Sequence, residues 1–426
     1  MSAGALERLD ENARREYWAA LALRCTRGLG ASLAARLLRR FGSAYDAVCR
    51  KELWSEEGVP ASALAFFQKQ EWREAARPEW EAAHRLDAHV ILWTDPRYPA
   101  LLREIADAPV LLYAAGDLSL LAGPCVAVVG SRNCSRAALD FAGRVSAELA
   151  SAGVTVVSGL AMGVDTAAHR EALGRTGSTV AVLAGGIDVP YPAANIGLYR
   201  RILQEGLVLS EFPPGTKPRR YSFPVRNRVM SGLSLAVLVA EATETNSGSL
   251  LTAHLAAEQG REVCVPSPEL FSGRYPEGSK SLLLEGASPV AGAEDLMAGI
   301  LPQLKAALKQ RESGNAERRI QTEQAPKPAV LSRTAKPRTA AVRRGAAKRA
   351  KPQEQISSPV KAPCSPDEQT LLELLASSAS GPEDLLCAAQ ERDPSWTPAR
   401  VTAALMMLEV ARRIRRTADS RYEVCP

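Results

Sequence analysis

The chain has 426 residues, 46% of them hydrophobic, which is enough for two or three domains with sizeable cores. Its eight cysteines form no Cys-x-x-Cys pair and its four histidines no His-x-x-x-His, so neither a disulfide framework nor a zinc site is expected. No apolar run is long enough to span a membrane, and the N-terminus MSAGALERLDENARR is charged rather than apolar, so a cytoplasmic protein is expected.

The first segment, 1–90, reads as helical. Helix is predicted over Glu11–Leu23, followed by the turn Arg27-Gly-Leu-Gly30 and a basic amphipathic helix over Ser32–Phe41. A Gly-x-Gly turn before a basic helix resembles a helix-hairpin-helix, whose turn N–H groups contact a DNA phosphate; a plain packing domain fits the same pattern. Val90-Ile-Leu-Trp93 then reads as a strand.

Between Val126 and Ser267 six short apolar runs recur at strand-plus-helix spacing: one ending at Gly130, then Val154–Gly159, Thr179–Gly185, Leu207–Phe212, Leu235–Glu241 and Glu262–Val265. Each is too short for a helix and too apolar for a half-exposed strand, the mark of strands buried on both faces. Amphipathic segments alternate with them; in Ala137–Ser151, Ala137, Phe141, Val145 and Leu149 recur every fourth residue. The pattern predicts an α/β fold with a doubly wound sheet over Val126–Ser267, with ligands at the carboxyl ends of the strands.

The loops at those ends are rich in small and basic residues. Gly130, Ser131 and Arg132 follow the first strand, Gly159 and Gly163 the second, Gly185 and Gly186 the third. Ser247, Gly248 and Ser249 open a helix after the fifth. Glycines let backbone N–H groups approach a ligand, helix N-termini favour anions, and arginine offers a fork that fits phosphate. After the fourth strand, Arg219-Arg220-Tyr-Ser-Phe223-Pro-Val-Arg226-Asn227-Arg228 interleaves basic and aromatic residues, which suits a single strand: cations hold its backbone while a ring receives an unstacked base. Asn227 also suits a cap for a following helix. His169 and His254 fit packing or hydrogen bonding better than catalysis. Asp165 and Asp188 lack partners at metal-ligand spacing and fit loop-shaping hydrogen bonds. No catalytic residue, metal ligand or cofactor is expected.

Residues 301–365 read as a linker. Nine basic and no acidic residues lie between Gln324 and Pro352, more than the whole chain's net charge of +6, so the rest of the chain is net negative. The segment also holds Pro326, Pro328, Pro337 and Pro352 and no aromatic residue. Such a stretch cannot build a core; it serves either as a tether or as a source of sequence-independent attraction for nucleic acid. Over 366–426, Ser365-Pro-Asp-Glu-Gln supplies helix-cap chemistry. Further helices are expected over Pro382–Gln390 and Thr397–Val410, and two short strands around Ala418–Ser420. Three helices and a hairpin resemble a winged helix, which serves either duplex DNA or protein contact.

The segments VAVVGSR, SGLAMGVDTAAHREAL, TVAVLAGGIDVPYPAAN, LSEFPPGT, FPVRNRVMSGLS and NSGSLLTAHLAAEQGREV stand here in the same order as in the DNA-processing protein A family (DprA, also called Smf), which the chain resembles over roughly Tyr98–Val290. The resemblance implies a non-enzymatic protein that binds and protects single-stranded DNA during natural transformation and homologous recombination and loads RecA onto it. It implies a homodimer formed through the central domain, and single-strand-binding protein is a further candidate partner. It gives Phe223 the role of lining a base pocket, with Arg220 the basic residue three positions before it; it implies that the segment from Val90 extends the central sheet, making an extended Rossmann-like domain over 91–300, and a sterile-alpha-motif-like fold for the N-terminal helices. Two departures concern the far side of the rim: Pro266-Ser267 where the family has Pro-Gly, and Gly278-Ser-Lys280 where it has an asparagine; Lys280 would add a charge there. Related α/β folds also include phosphoribohydrolases, but those carry Pro-Gly-Gly-x-Gly-Thr where this chain has Thr245-Asn-Ser-Gly-Ser249. A dinucleotide oxidoreductase is disfavoured because Arg132 occupies the close-approach glycine position of Gly-x-Gly-x-x-Gly.

Overall fold

The computed structural model describes residues 4–243, 247–271, 273, 275–308, 366–375, 381–393, 396, 401, 404–405, 408, 414–416 and 422–424. The chain forms a nine-stranded mixed sheet in the order β1-β2-β6-β5-β4-β3-β7-β8-β9, flanked by helices and Rossmann-like. The six apolar runs become β3 (Cys125–Gly130), β4 (Thr155–Ser158), β5 (Thr179–Val182), β6 (Leu207–Ser210), β7 (Ala236–Glu241) and β8 (Glu262–Pro266), all paired in parallel. Every residue of β4, β5, β6 and β7 is buried, which is why these segments carry no polar alternation. β9 (Ser288–Val290) adds a further parallel strand that its short sequence does not announce.

The expected strand at Val90 is β1 (His89–Leu92), and it extends the same sheet. It pairs antiparallel with β2 (Leu111–Gly116), which pairs antiparallel with β6. From β3 the chain winds one way through β4, β5 and β6, then returns to place β7 on the other side of β3. The strand order therefore reverses between β3 and β7, where an open α/β sheet opens a crevice at its carboxyl edge.

The N-terminal segment forms the helices α1 (Glu11–Cys25), α2 (Ala31–Phe41), α3 (Ala44–Cys49), α4 (Ala61–Gln68) and α5 (Trp72–Arg85). Their buried residues share one hydrophobic core with β1, β2, β5 and β6. The seam is also polar: the Tyr17 and Tyr113 hydroxyls lie 3.1 Å apart, Tyr113 donates to Glu79 Oε1, Arg24 pairs with Glu79, and Arg24 Nη1 donates to the Glu211 carbonyl at 2.8 Å. The arginines of α2 are turned to the protein's own oxygens. Arg36 donates to the Glu57 carbonyl, Arg40 pairs with Glu57, and Arg39 donates to the carbonyls of Ile105 and Ala106.

Past β2 come α6 (Ala100–Glu104), α7 (Arg136–Ser151), α8 (Val164–Ala172), α9 (Ile196–Glu205), α10 (Ser222–Leu233), α11 (Gly248–Glu258), α12 (Glu277–Leu284) and α13 (Ala293–Gly299). In α7 the buried stripe contains Ala138, Phe141, Val145 and Leu149; Ala137, expected on it, is exposed. Phe141 and Val145 join Val126, Val128, Val164 and Leu238 in the core on one face of the sheet.

The basic linker lies almost wholly outside the described residues. Beyond it, helices Pro366–Leu375 and Pro382–Arg392 and an antiparallel hairpin of β10 (Ile414–Arg416) and β11 (Tyr422–Val424) enclose a small core that includes Leu371, Leu385, Trp396, Leu405, Leu408 and Tyr422. The third expected helix, Thr397–Val410, falls mostly outside the described residues.

Candidate nucleic-acid interface

A cavity of about 660 Å³ opens at the switch point. Its lining includes Gly130 at the end of β3 and Ser131 and Arg132 after it, Phe223, Arg226 and Asn227 of α10, and Ser247, Gly248 and Ser249 at the start of α11. Nine of the eleven residues singled out from the sequence thus meet in one concavity. Gly159 lies beneath it rather than on its wall, and Arg220 stands exposed outside it.

The loop after β3 is held from two sides. Ser131 N–H donates to the Glu241 carbonyl (2.9 Å), and the Glu241 carboxylate accepts from the Ser135 N–H (3.1 Å to each oxygen) and the Ser135 hydroxyl (2.5 Å). Glu241, the last residue of β7, thereby brings its own negative charge to the N-terminus of α7, where dinucleotide-binding folds place a pyrophosphate. A charged residue closing an otherwise apolar run was the sequence signal for this clamp. On the other side Gly163 sits at φ 76°, and a Cβ there would come within 2.4 Å of the Ser131 carbonyl and 2.7 Å of the Arg132 carbonyl. Only glycine lets α8 start this close to the loop that carries Arg132.

The start of α11 also lines the cavity. Ser247 caps this helix, its hydroxyl accepting from Leu250 N–H and lying 2.9 Å from the Ser249 hydroxyl. The N–H groups of Gly248 and Ser249 belong to a first turn that no intrahelical carbonyl satisfies, and they lie at the cavity wall. Thr245 and Asn246, which precede them, fall outside the described residues.

Arg132 is exposed and its guanidinium lies over the Phe223 ring, Cζ 5.3 Å from the centroid. The second arginine of the lining is different in kind. Arg226 is only 5% exposed; its Nη1 donates to the Val182 carbonyl at 2.9 Å and its Nε to Asn227 Oδ1 at 3.1 Å. Burial pulls it down to about 10, opposed by the attraction of Asp165, so it stays a cation at neutral pH. Burial in turn raises Asp165, against the pull of Arg226. Asp165 Oδ2 accepts from the N–H groups of Gly159 (3.0 Å) and Ala161 (3.2 Å), the loop-shaping role expected for it.

The basic-aromatic run is therefore split by its fold. Arg219 and Arg220 face solvent before α10, whereas Arg226 and Arg228, inside the helix, are buried. Arg228 pairs with Glu211 (2.5 Å) and Asp107 (3.3 Å), tying α10 to β6 and the loop before β2. Asn227 caps no helix: α10 has already begun at Ser222, and the Asn227 amide instead donates to the Gly248 carbonyl at 3.2 Å, fixing α11 against α10.

His169 is wholly buried and both its nitrogens are engaged. Thr179 gives its hydroxyl proton to the Val156 carbonyl (2.7 Å) and so accepts from His169 Nδ1 (2.7 Å), leaving Nε2 to accept the Leu160 N–H (3.2 Å). Burial, reinforced by Arg226, pushes its pKa down to about 3, so it is neutral. It helps hold Leu160 at φ 59°, a left-handed conformation costly for leucine. Asn195, the last residue of the segment TVAVLAGGIDVPYPAAN, completes the restraint by donating to the carbonyls of Leu160 and Ala161. Asp188 Oδ1 accepts from Gly215 N–H at 2.7 Å, and His254 pairs with Glu285 on the surface. Lys280 is exposed on α12, whose neighbouring Ser279 accepts from Ala242 N–H just past β7. Among the described residues no group of three or more His, Cys, Asp or Glu could hold a metal ion, and no helix is long and apolar enough to cross a membrane.

The family model for DNA recombination-mediator protein A matches residues 89–300, which hold β1 to β9 and this cavity. DNA processing protein DprA of Streptococcus pneumoniae is 46% identical over 204 residues, 48% of this chain and 71% of that protein. The chain belongs to the DNA-processing protein A family. Bacillus subtilis DprA is 40% identical over 201 residues, 47% of this chain and 67% of that protein. The X-ray structure of DprA from S. pneumoniae superposes with a TM-score of 0.57 at 35% identity, covering 67% of this chain and 97% of that one. The DprA fold thus reaches beyond the matched sheet, while the basic linker and the C-terminal segment lie outside the family match.

Proposed function

We propose that the protein binds single-stranded DNA at the switch-point cavity, protects it, and loads RecA onto it during natural transformation and homologous recombination. The observation that carries this reading is the convergence of an exposed cation on an aromatic ring, Arg132 over Phe223, with the open N-terminus of α11 in one cavity. Phosphate binds to Arg132 and to the N–H groups of Gly248 and Ser249, and Phe223 takes an unstacked base. Gly130 and Ser131 bring backbone close to the strand. Arg226 supplies positive potential from below, Gly159 makes room for it, and Asn227 holds the two helices in register. Arg220, exposed beside α10, contacts the backbone as it leaves the cavity. A binding role rather than catalysis is favoured by His169, whose two nitrogens are both committed to the fold.

The protein acts as a homodimer joined through the central domain. The N-terminal helices, sterile-alpha-motif-like, support the sheet, since the arginines of α2 already hold the protein's own oxygens. The C-terminal segment is a winged helix that contacts DNA or a protein partner, and single-strand-binding protein is the layer displaced when RecA is loaded. A titration of labelled single-stranded and duplex oligonucleotides at two salt concentrations tests the binding step: single strands bind more tightly, with a salt-dependent affinity. RecA filament formation on strands precoated with single-strand-binding protein tests the loading step, which Arg132→Ala and Phe223→Ala abolish. Equal affinity for duplex, or full loading by both variants, contradicts the proposal.

A further inference from the structure

Beside Phe223 stands a second ring, outside the cavity. The centroids of Tyr191 and Phe223 are 6.1 Å apart, with their planes inclined by 63°. Phe223 lines the cavity, whereas Tyr191, 52% exposed, sits on the loop that follows β5. That loop is tied down on both sides of the ring. Before it, Val189 N–H donates to the Gly186 carbonyl (2.9 Å), Gly186 N–H to the Thr216 carbonyl (2.8 Å), and Gly215 N–H to Asp188 Oδ1 (2.7 Å). After it, Asn195 N–H donates to the Pro192 carbonyl (3.0 Å) while the Asn195 side chain grips the loop after β4. A half-exposed tyrosine on a loop bonded to both its neighbours is a ring presented to solvent in a fixed place, and little ordering is left to do when something stacks on it.

We infer that Tyr191 is a second base-stacking platform, and that Phe223 and Tyr191 together take two successive bases of a single strand and unstack them from each other. The inference rests on the single-strand reading of the cavity and adds to it a direction and a source of selectivity. Phosphate contacts lie on the cavity side of Phe223, so the strand runs from the α11 N-terminus across Phe223 outward to Tyr191. Two rings inclined by 63° cannot both lie parallel to two bases that are parallel to one another. A strand that lays one base on each ring has to open the stack between them, which a single strand does readily and a duplex does not. Charge attracts both forms of DNA; the inclined pair discriminates between them.

The test uses the full chain with Tyr191→Phe, Tyr191→Ala and, in parallel, Phe223→Ala. The probe is a short single strand carrying two adjacent aminopurine bases, whose circular-dichroism couplet reports their mutual stacking. Wild type and Tyr191→Phe erase the couplet on binding. Tyr191→Ala binds about five- to a hundredfold more weakly and leaves the couplet in place. A couplet that survives in the wild-type complex overturns the inference. So does wild-type affinity in Tyr191→Ala when Phe223→Ala has lost binding, a result that leaves the cavity reading standing. Wild-type affinity in both variants removes the cavity reading as well.

Discussion

The guanidinium carbon of Arg132 lies 5.3 Å from the centroid of the Phe223 ring, so the cation and the ring that the proposed function assigns to DNA are engaged with each other. Binding has to separate them: the guanidinium exchanges the ring for a phosphate, and the ring exchanges the cation for a base. Each single alanine substitution removes a group that holds DNA but also releases this internal pairing. The double variant Arg132→Ala/Phe223→Ala is therefore expected to lose about 0.5–1 kcal/mol more binding free energy than the sum of the two single losses, the size of an exposed cation–π contact. A double-mutant cycle of dissociation constants measures this. Strict additivity would mean that the pair stays together in the complex.

Gly159 is predicted to be intolerant of a methyl group. A Cβ there would lie 1.5 Å from Arg226 Nη1 and 2.2 Å from its Cζ, so Gly159→Ala has to push a buried cation off the Val182 carbonyl. Overpacking of this kind costs roughly 1–3 kcal/mol. Urea denaturation is expected to show that loss, together with weaker single-strand binding because the cavity floor moves. Unchanged stability would mean that Arg226 has another place to go.

Stability is expected to carry a pH signature from His169. Its folded pKa, about 3, lies below the ordinary 6.5, so between these values the unfolded chain binds a proton that the native state refuses. The contribution is complete above pH 6.5 and is lost as pH falls through that window, with a slope of about 1.4 kcal/mol per pH unit at most. Asp165, whose pKa burial raises, contributes in the opposite sense, so the comparison with His169→Gln isolates the histidine. The variant's stability should fall less steeply on acidification. Parallel curves would show that His169 titrates normally.

Deleting 324–352 removes nine basic residues and no acidic ones. If this segment touches DNA, affinity drops modestly and the log–log salt slope falls by roughly 0.7 for each phosphate it had neutralised. An unchanged slope identifies it as a tether.

The fold was legible where burial dictates composition. Strands β4 to β7 are buried on both faces and read as apolar runs, and the antiparallel edge was foreshadowed by the run at Val90. The cavity was legible because ligand sites in such sheets follow the strand ends, which brought Gly130, Arg132, Phe223 and Ser247 together. Less visible was which arginines reach solvent. Arg220 and Arg226 are six residues apart in one basic run, yet the start of α10 at Ser222 leaves one exposed outside the cavity and buries the other in its floor. Nor does spacing reveal partners distant in sequence, such as Glu241 with Ser135, Arg228 with Asp107, or Asn195 with Leu160. Tyr191 lies within the segment TVAVLAGGIDVPYPAAN, but its glycine- and proline-rich turn gives no sign of the ring it meets far along the chain.

The most direct test of the cavity is fluorescence anisotropy with a short labelled single strand, read for wild type, Arg132→Ala and Phe223→Ala at two salt concentrations. Arg132→Ala should bind more weakly with a smaller salt slope, since it no longer neutralises a phosphate. Phe223→Ala should lose about 1–3 kcal/mol with its slope intact, since it loses stacking. Folded variants that both bind like wild type would contradict the account and move the binding surface to the linker or the terminal segments.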